Sequence, residues 1–198
     1  MKSLKITAIS MLTAALTLSS CGEDYITVDP TSVATGEQID DLATKNPDKL
    51  MIVIDPLLAG MYNYMNQYNT QGSSSTVHND FGLTSFFHLG DVMTDDLAFE
   101  VQGSGWFTFD YQFQYRGEQY IRTFMYWNFF YTLINKSNDI ISKIPEGAES
   151  AEINAAKGQA LAIRGMAYYY LISMYQQTYS SLPDPATALG VPLIYTPN

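Results

Sequence analysis

The chain has 198 residues, enough for one modest domain around a single core. Its 20 acidic residues outnumber 10 basic ones, for a net charge of −10. That balance argues against nucleic acid and against attraction to anionic lipid head groups, which both favour clustered Lys and Arg. A single cysteine excludes any disulfide within the chain, so the core has to hold the fold together. The 15 Tyr, 10 Phe and 2 Trp are more rings than a core of this size can hide. Many should be partly exposed, suited to stacking on sugars or packing on a partner, or else lining an interface with further chain.

Residues 1–20 read MKSLKITAISMLTAALTLSS. Lys2 and Lys5 make a short positive start, and Ile6 to Leu18 is uncharged. That run is about 13 residues, against the roughly 20 a helix needs to cross a bilayer. A positive start, a short apolar run and a small-residue end are the layout of a secretory signal peptide. The end, Leu18-Ser19-Ser20-Cys21, resembles the bacterial lipobox. That resemblance implies lipidation of the Cys21 sulfur through a thioether, with palmitate-class acyl chains, and cleavage that makes Cys21 the first mature residue. Several acyl chains on one residue give a stable anchor where a single chain binds only marginally. Removing Lys2 and Lys5 takes the net charge from −10 to −12. Glu23 and Asp24 follow at once and resemble the acidic signal that sends Bacteroidetes lipoproteins to the outer face of the outer membrane; the alternative is that they only keep the tether solvated.

Residues 22–36 carry no helical period and are punctuated by Asp29-Pro30 and Gly36, the mark of an extended tether. Glu37 to Lys45 predicts a short helix, stopped by Asn46-Pro47. The first long helix is predicted from Asp55, a capping residue, with Pro56 at the first helical position. Leu57, Leu58, Met61, Tyr62, Met65 and Tyr68 then recur at helical spacing. Asn69 to Asn79 is a polar loop. Phe81 to Phe99 is ambiguous, its acidic centre being either a short helix or a turn. In Gly103 to Gly117, GSGWFTFDYQFQYRG, rings almost alternate with polar residues. The pattern is that of a strand or of an ordered loop that displays rings.

Glu118 to Ile144 predicts a long helix with an apolar stripe of Ile121, Phe124, Met125, Tyr131, Ile134, Ile141 and Ile144. Arg122, Lys136, Asp139 and Lys143 fall on the opposite face. Pro145-Glu146-Gly147 ends it. Ser150 caps a second helix, with Glu152 in its first turn where the helix dipole favours an acid. That helix runs to about Tyr179 through Ala156, Ala160, Ile163, Ala167, Leu171 and Tyr175. The two form an αα-hairpin, with Gly158, Ala160, Gly165 and Ala167 permitting close contact. The tail from Ser180, with four prolines, closes no obvious core element.

The second helix and the GVPLIY that follows it resemble the SusD/RagB family of Bacteroidetes outer-membrane lipoproteins. The resemblance rests on Ala160, Leu161, Arg164, Tyr168, Leu171 and Tyr175, then Gly190, Val191, Pro192 and Leu193. It extends through Asp91 to Asp96, the helix end at Asn135 to Ile144, and the lipobox. Gly158 and Gly165 depart from the family's alanines. Family members usually run to more than twice this length, so the chain matches their N-terminal portion and reads as truncated. The resemblance divides it into a signal peptide (1–20), a lipidated tether with a short helix (21–47) and a SusD-like N-terminal helical domain (48–198). It implies an all-α fold of tetratricopeptide-like helical hairpins with an irregular aromatic-rich insertion. Helical hairpins bury their faces only by stacking on neighbours, which agrees. Arg164, within an apolar helix face, either bonds a nearby carbonyl or carboxylate to fix packing or meets a ligand; a buried arginine has to be paired.

The resemblance further implies a protein of the outer membrane, lipid-anchored and facing outside, without enzymatic activity or cofactor. Such a protein assists a SusC-like TonB-dependent transporter in taking up oligosaccharides, or peptides in some members. Sugar capture needs flat rings and planar polar groups. Gly103 to Gly117 offers both, with Asp110, Gln112, Gln114 and Arg116 between rings; Trp106, Phe107 and Tyr111 are the candidate ligand-binding residues. A glycosidase would need two carboxyls across a cleft, and Asp91, Asp95, Asp96 and Glu100 read better as a solvated edge. His78 and His88 lack a thiolate partner and make a poor metal signature. Asp91, Asp95 and Asp96 are the residues a calcium site would use. A third reading is a purely structural helical scaffold for the transporter.

Overall fold

The computed structural model describes residues 38, 45, 49–68, 70, 79–95, 97–98, 105–114 and 116–197. Residues 1–20, expected to be a signal peptide, Cys21, Glu23, Asp24 and nearly all of the expected tether and short helix lie outside the described residues, as do His78, Asp96 and Glu100. The elements named here belong to one compact unit, Leu42–Asn198. They are α1 (Leu50–Met65), α2 (Leu83–Asp91), the single-turn α3 (Thr108–Tyr111), α4 (Ile121–Lys143) and α5 (Ala151–Tyr175). A 3-10 turn at Tyr179–Ser181 follows. The fold is all-α, with no strand among the described residues.

Helix α1 begins at Leu50, five residues before the predicted start, and Pro56 lies inside it. A proline inside a helix removes one hydrogen bond and costs about 3 kcal/mol. Leu50, Val53 and Ile54 are buried upstream of it and continue the stripe of Leu58, Met61 and Met65. Burying each such side chain is worth about 1.5–3 kcal/mol, so three of them outweigh the proline. Tyr62 and Tyr68, read as part of the stripe, are exposed.

Helices α4 and α5 form the predicted hairpin, and α1 packs against both. Ser150 caps α5 as predicted, its hydroxyl accepting from the Ile153 amide at 3.4 Å. Gly147, at φ 77°, takes the left-handed conformation in the turn between the two helices. Helix α5 stops at Tyr175, four residues short of its predicted end. Ala156, Ala160, Ile163, Ala167 and Leu171 are buried along it as expected. Gly158 and Gly165 are exposed, with open space where a Cβ would stand, so alanines alone make the close contact.

The buried face of α4 differs from the predicted stripe. Ile121 and Phe124 are exposed, while Tyr126, Phe129, Phe130, Leu133 and Ile140 are buried. α4 is apolar around much of its circumference, and the face that packs is the one that α1, α2 and α5 share. Phe86 of α2 seats its ring 4.7 Å from Phe129 and 5.1 Å from Tyr126, and Tyr64 of α1 stacks on Phe129 at 5.1 Å. Offset and edge-on pairs of this kind add about 0.5–1.5 kcal/mol beyond burial. α2 enters this cluster through Gly82, at φ 71°, where any Cβ would collide with the Met65 carbonyl oxygen.

The tail, predicted to close nothing, crosses the α4–α5 pair and is bonded to both. Tyr131 donates to the Pro192 carbonyl at 2.8 Å and Asn138 Nδ2 to the Ile194 carbonyl at 3.0 Å. The Tyr168 hydroxyl donates to the Ile194 carbonyl at 2.9 Å and accepts from the Ile194 amide at 2.7 Å. Arg164 takes the packing role: Nη1 donates to Asn138 Oδ1 at 2.9 Å, and its guanidinium lies 5.4 Å from the centre of the Tyr195 ring.

Candidate functional site

The ring-rich segment folds as turns around one helical turn, so the loop reading holds for its described residues and the strand reading does not. Phe107 to Tyr111 hydrogen-bond as a helical turn, and Phe113 ends it at φ 57°. A non-glycine residue in that region costs roughly 1–2 kcal/mol. The Arg116 guanidinium, 4.4 Å from the centre of the Phe113 ring, adds an attraction in the opposite sense.

Of the three candidate rings, Trp106 is 49 % exposed and meets Phe81 edge-on at 6.2 Å. Tyr111 is half-buried. Phe107 is buried, its centre 6.0 Å from the Arg122 guanidinium and 6.3 Å from the His88 ring. The three residues share one turn, but only Trp106 and part of Tyr111 reach solvent. Phe109, Phe113 and Tyr120 are exposed nearby and extend the ring-bearing surface.

Asp110, Arg122 and Asn79 line one concavity with Phe109 and Tyr120. Asp110 is buried and its Oδ2 stands 2.9 Å from Arg122 Nη2. Arg122, expected on the solvated face of its helix, instead turns inward to this carboxylate. Burial pushes the Asp110 carboxyl above its ordinary value, a rise that Arg122 and then Arg116 only partly oppose. Burial likewise lowers Arg122, against the pull of Asp110 and Asp80. For both partners the loss of hydration outweighs the pairing, as is common for buried ion pairs. Despite the short separation, Asp110 Oδ2 accepts no well-aligned hydrogen bond among the described residues. Asn79 Oδ1 is in the same condition. The Asn79 amide is oriented by its Nδ2, which donates to the Trp106 carbonyl at 2.9 Å.

Two concavities flank the pair. One of about 190 Å³ is lined by Asn79, Phe109, Tyr120 and Ile121 together with Asp110 and Arg122. Another of about 170 Å³ has Met93, Arg116, Thr123 and Tyr175 in its wall. Tyr175 donates to the Thr123 carbonyl at 2.5 Å, and burial pushes its hydroxyl up to about 12, so it stays a neutral donor. A larger concavity of about 430 Å³ lies between the end of α5 and residues 178–190, away from the rings.

Asp91 and Asp95 are exposed at and after the end of α2. The described residues hold no group of three side chains suited to a metal ion, and Asp96 lies outside them. No helix among the described residues is long and apolar enough to cross a membrane. Sequence reading passed over Asn79 and Arg122. The available signal was Asp110, a lone carboxylate among rings that needs a cation if it turns inward.

No curated protein and no solved structure matches the chain. Residues 42–198 match the sequence model of a SusD-like family described as starch-binding and associating with the outer membrane. With the all-α hairpin fold and a match over most of its length, the chain belongs to the SusD-like family.

Proposed function

We propose that this protein is a surface lipoprotein that binds oligosaccharide nutrients and assists a TonB-dependent, SusC-like transporter of the outer membrane. Membership of a family described as starch-binding and outer-membrane-associated carries this reading. The ring-bearing surface around Trp106 supports it, because exposed rings stack on the C–H faces of pyranoses while polar groups nearby meet hydroxyls. Trp106 is the principal stacking ring and Tyr111 a partial one, with Phe107 buried in the same turn. The protein acts by binding, with no chemistry of its own.

Cys21 is the proposed lipid attachment point, with residues 1–20 as the signal that precedes it and the anchored chain facing outside. Cys21→Ala should release the protein from the membrane fraction. Replacing Glu23 and Asp24 with Ala should protect it from protease added to intact cells.

Isothermal titration of the full chain against oligosaccharides and peptides tests the ligand class. Saccharide binding that Trp106→Ala reduces at least tenfold is the expected result. Peptide binding alone would favour a peptide-capturing member, and hydrolysis of any ligand would overturn the non-enzymatic reading. Absence of all binding, with co-purification of a transporter, would leave a scaffold.

A further inference from the structure

Helix α5 is apolar on two faces, and only one of them is in the core. Ala156, Ala160, Ile163, Ala167 and Leu171 are buried there. About 200° around the helix, Ala155, Gly158, Ala162, Gly165, Tyr169 and Ile172 are exposed, Tyr169 by 65 %. Their spacing alternates between three and four residues, the heptad seam of a helix that packs on another helix. A helix apolar all round is ordinarily covered all round.

We infer that this face is the contact between two copies of the chain, paired antiparallel along α5. The seam is its own complement. Laid on itself about a two-fold axis midway between positions 163 and 164, it sets Tyr169 against Gly158 of the second copy, Ile172 against Ala155 and Ala162 against Gly165. Such a contact uses the same patch on both copies. A Cβ built at Gly158 or Gly165 meets nothing within 4 Å, so both positions are open to a side chain from outside. A parallel pairing in register would instead set ring on ring and glycine on glycine. The antiparallel pairing also opposes the two helix dipoles favourably.

Charge favours a second copy as the occupant. The chain carries 20 acidic residues and a net charge of −10, yet none of those acids lies between positions 153 and 183. Two copies that repel elsewhere can meet along this stretch without setting acid against acid. A basic partner would find no carboxylate on the seam. Of the two cations in the stretch, Lys157 and Arg164, both are half-buried, and Arg164 is engaged with Asn138. One helix per copy makes a small interface, about 1,200 Å² or less in total, so the dimer is weak and depends on concentration.

Sedimentation equilibrium on the full chain, from about 1 to 500 µM, tests this without reference to saccharide binding. The mean mass should climb from 22.1 kDa towards twice that value. Tyr169→Glu puts a charge on the seam, and Gly158→Leu fills the dent that receives the ring. Each should weaken association by about tenfold or more, with folding checked by circular dichroism. If Tyr169→Glu does not fold, Gly158→Leu decides, because its side chain has open space in the single copy. Ile52→Glu, at an exposed apolar residue of α1, should leave association unchanged. A single copy at every concentration overturns the inference and leaves the face to a different partner. It is equally overturned by a dimer that Gly158→Leu or folded Tyr169→Glu fails to weaken, or that Ile52→Glu weakens as much.

Discussion

Phe129 and Phe130 of α4 are fully buried, while Trp106, Phe109 and Phe113, in the segment that leads to α4, are 44–58 % exposed. Both regions are dense in rings. The difference lies in what stands opposite each ring. Phe129 and Phe130 face Tyr64, Phe86 and Tyr170 from three other elements, at 4.7 to 5.8 Å. In the segment, Trp106 meets the half-buried Phe81 edge-on at 6.2 Å, Phe113 has the Arg116 guanidinium 4.4 Å from its centre, and Phe109 lines a concavity with Asp110, Arg122 and Asn79. An aromatic cluster becomes core when other apolar elements close on it. Where charged and polar side chains make up much of its surroundings, as at Phe109 and Phe113, it stays at the surface.

The strongest test of this contrast is Phe129→Ala, which opens a void where three ring pairs meet. It should lower stability by about 3–5 kcal/mol in urea melts. A much smaller loss would mean that the α4 rings are no better packed than those of the segment. Next is Arg122→Met, which leaves Asp110 buried without its cation and should cost about 3 kcal/mol or more.

Asp110→Asn sharpens the comparison through pH. Burial raises the folded-state carboxyl above its ordinary 3.8. The stabilisation associated with its proton is full below 3.8 and is lost as pH rises through the folded value. The variant lacks this titration, so its deficit against the native chain should be greatest in acid and shrink towards neutrality. A deficit that grows with pH would show that pairing with Arg122 outweighs burial.

Tyr168→Phe removes both bonds to Ile194 and should cost roughly 1–2 kcal/mol, with faster amide exchange across residues 190–196. Smallest is Trp106→Ala, which should change stability by no more than about 0.5 kcal/mol while weakening saccharide binding. A large stability loss there would make Trp106 a core ring after all.

Much of the hairpin was legible because it follows local rules: the Ser150 cap, the Pro145-Glu146-Gly147 break and the Ala156-to-Leu171 period. Pro56 misled because a preference for the first helical turn is local, whereas burial of Leu50, Val53 and Ile54 is tertiary. The stripe on α4 was misjudged because a helix apolar on several faces does not declare which one a neighbour covers. Trp106 and Asp110 were legible as a ring and an acid in a turn-rich segment. Asn79 and Arg122 were not, since what matters about them is a carbonyl 27 residues away and a carboxylate on another element. The bonds that hold the tail, made from side chain to backbone, leave no periodic trace at all.

That tail carries a further consequence. Tyr168 grips the amide and carbonyl of Ile194, and Tyr131 takes only the carbonyl of Pro192, the one backbone polar group a proline retains. These contacts read the peptide group and are indifferent to the side chain it carries. Substitutions at Leu193, which is 61 % exposed, therefore leave the course of the segment intact. Position and identity are inherited separately here: three side chains on α4 and α5 decide where this stretch runs, and its outward residues are left open to drift.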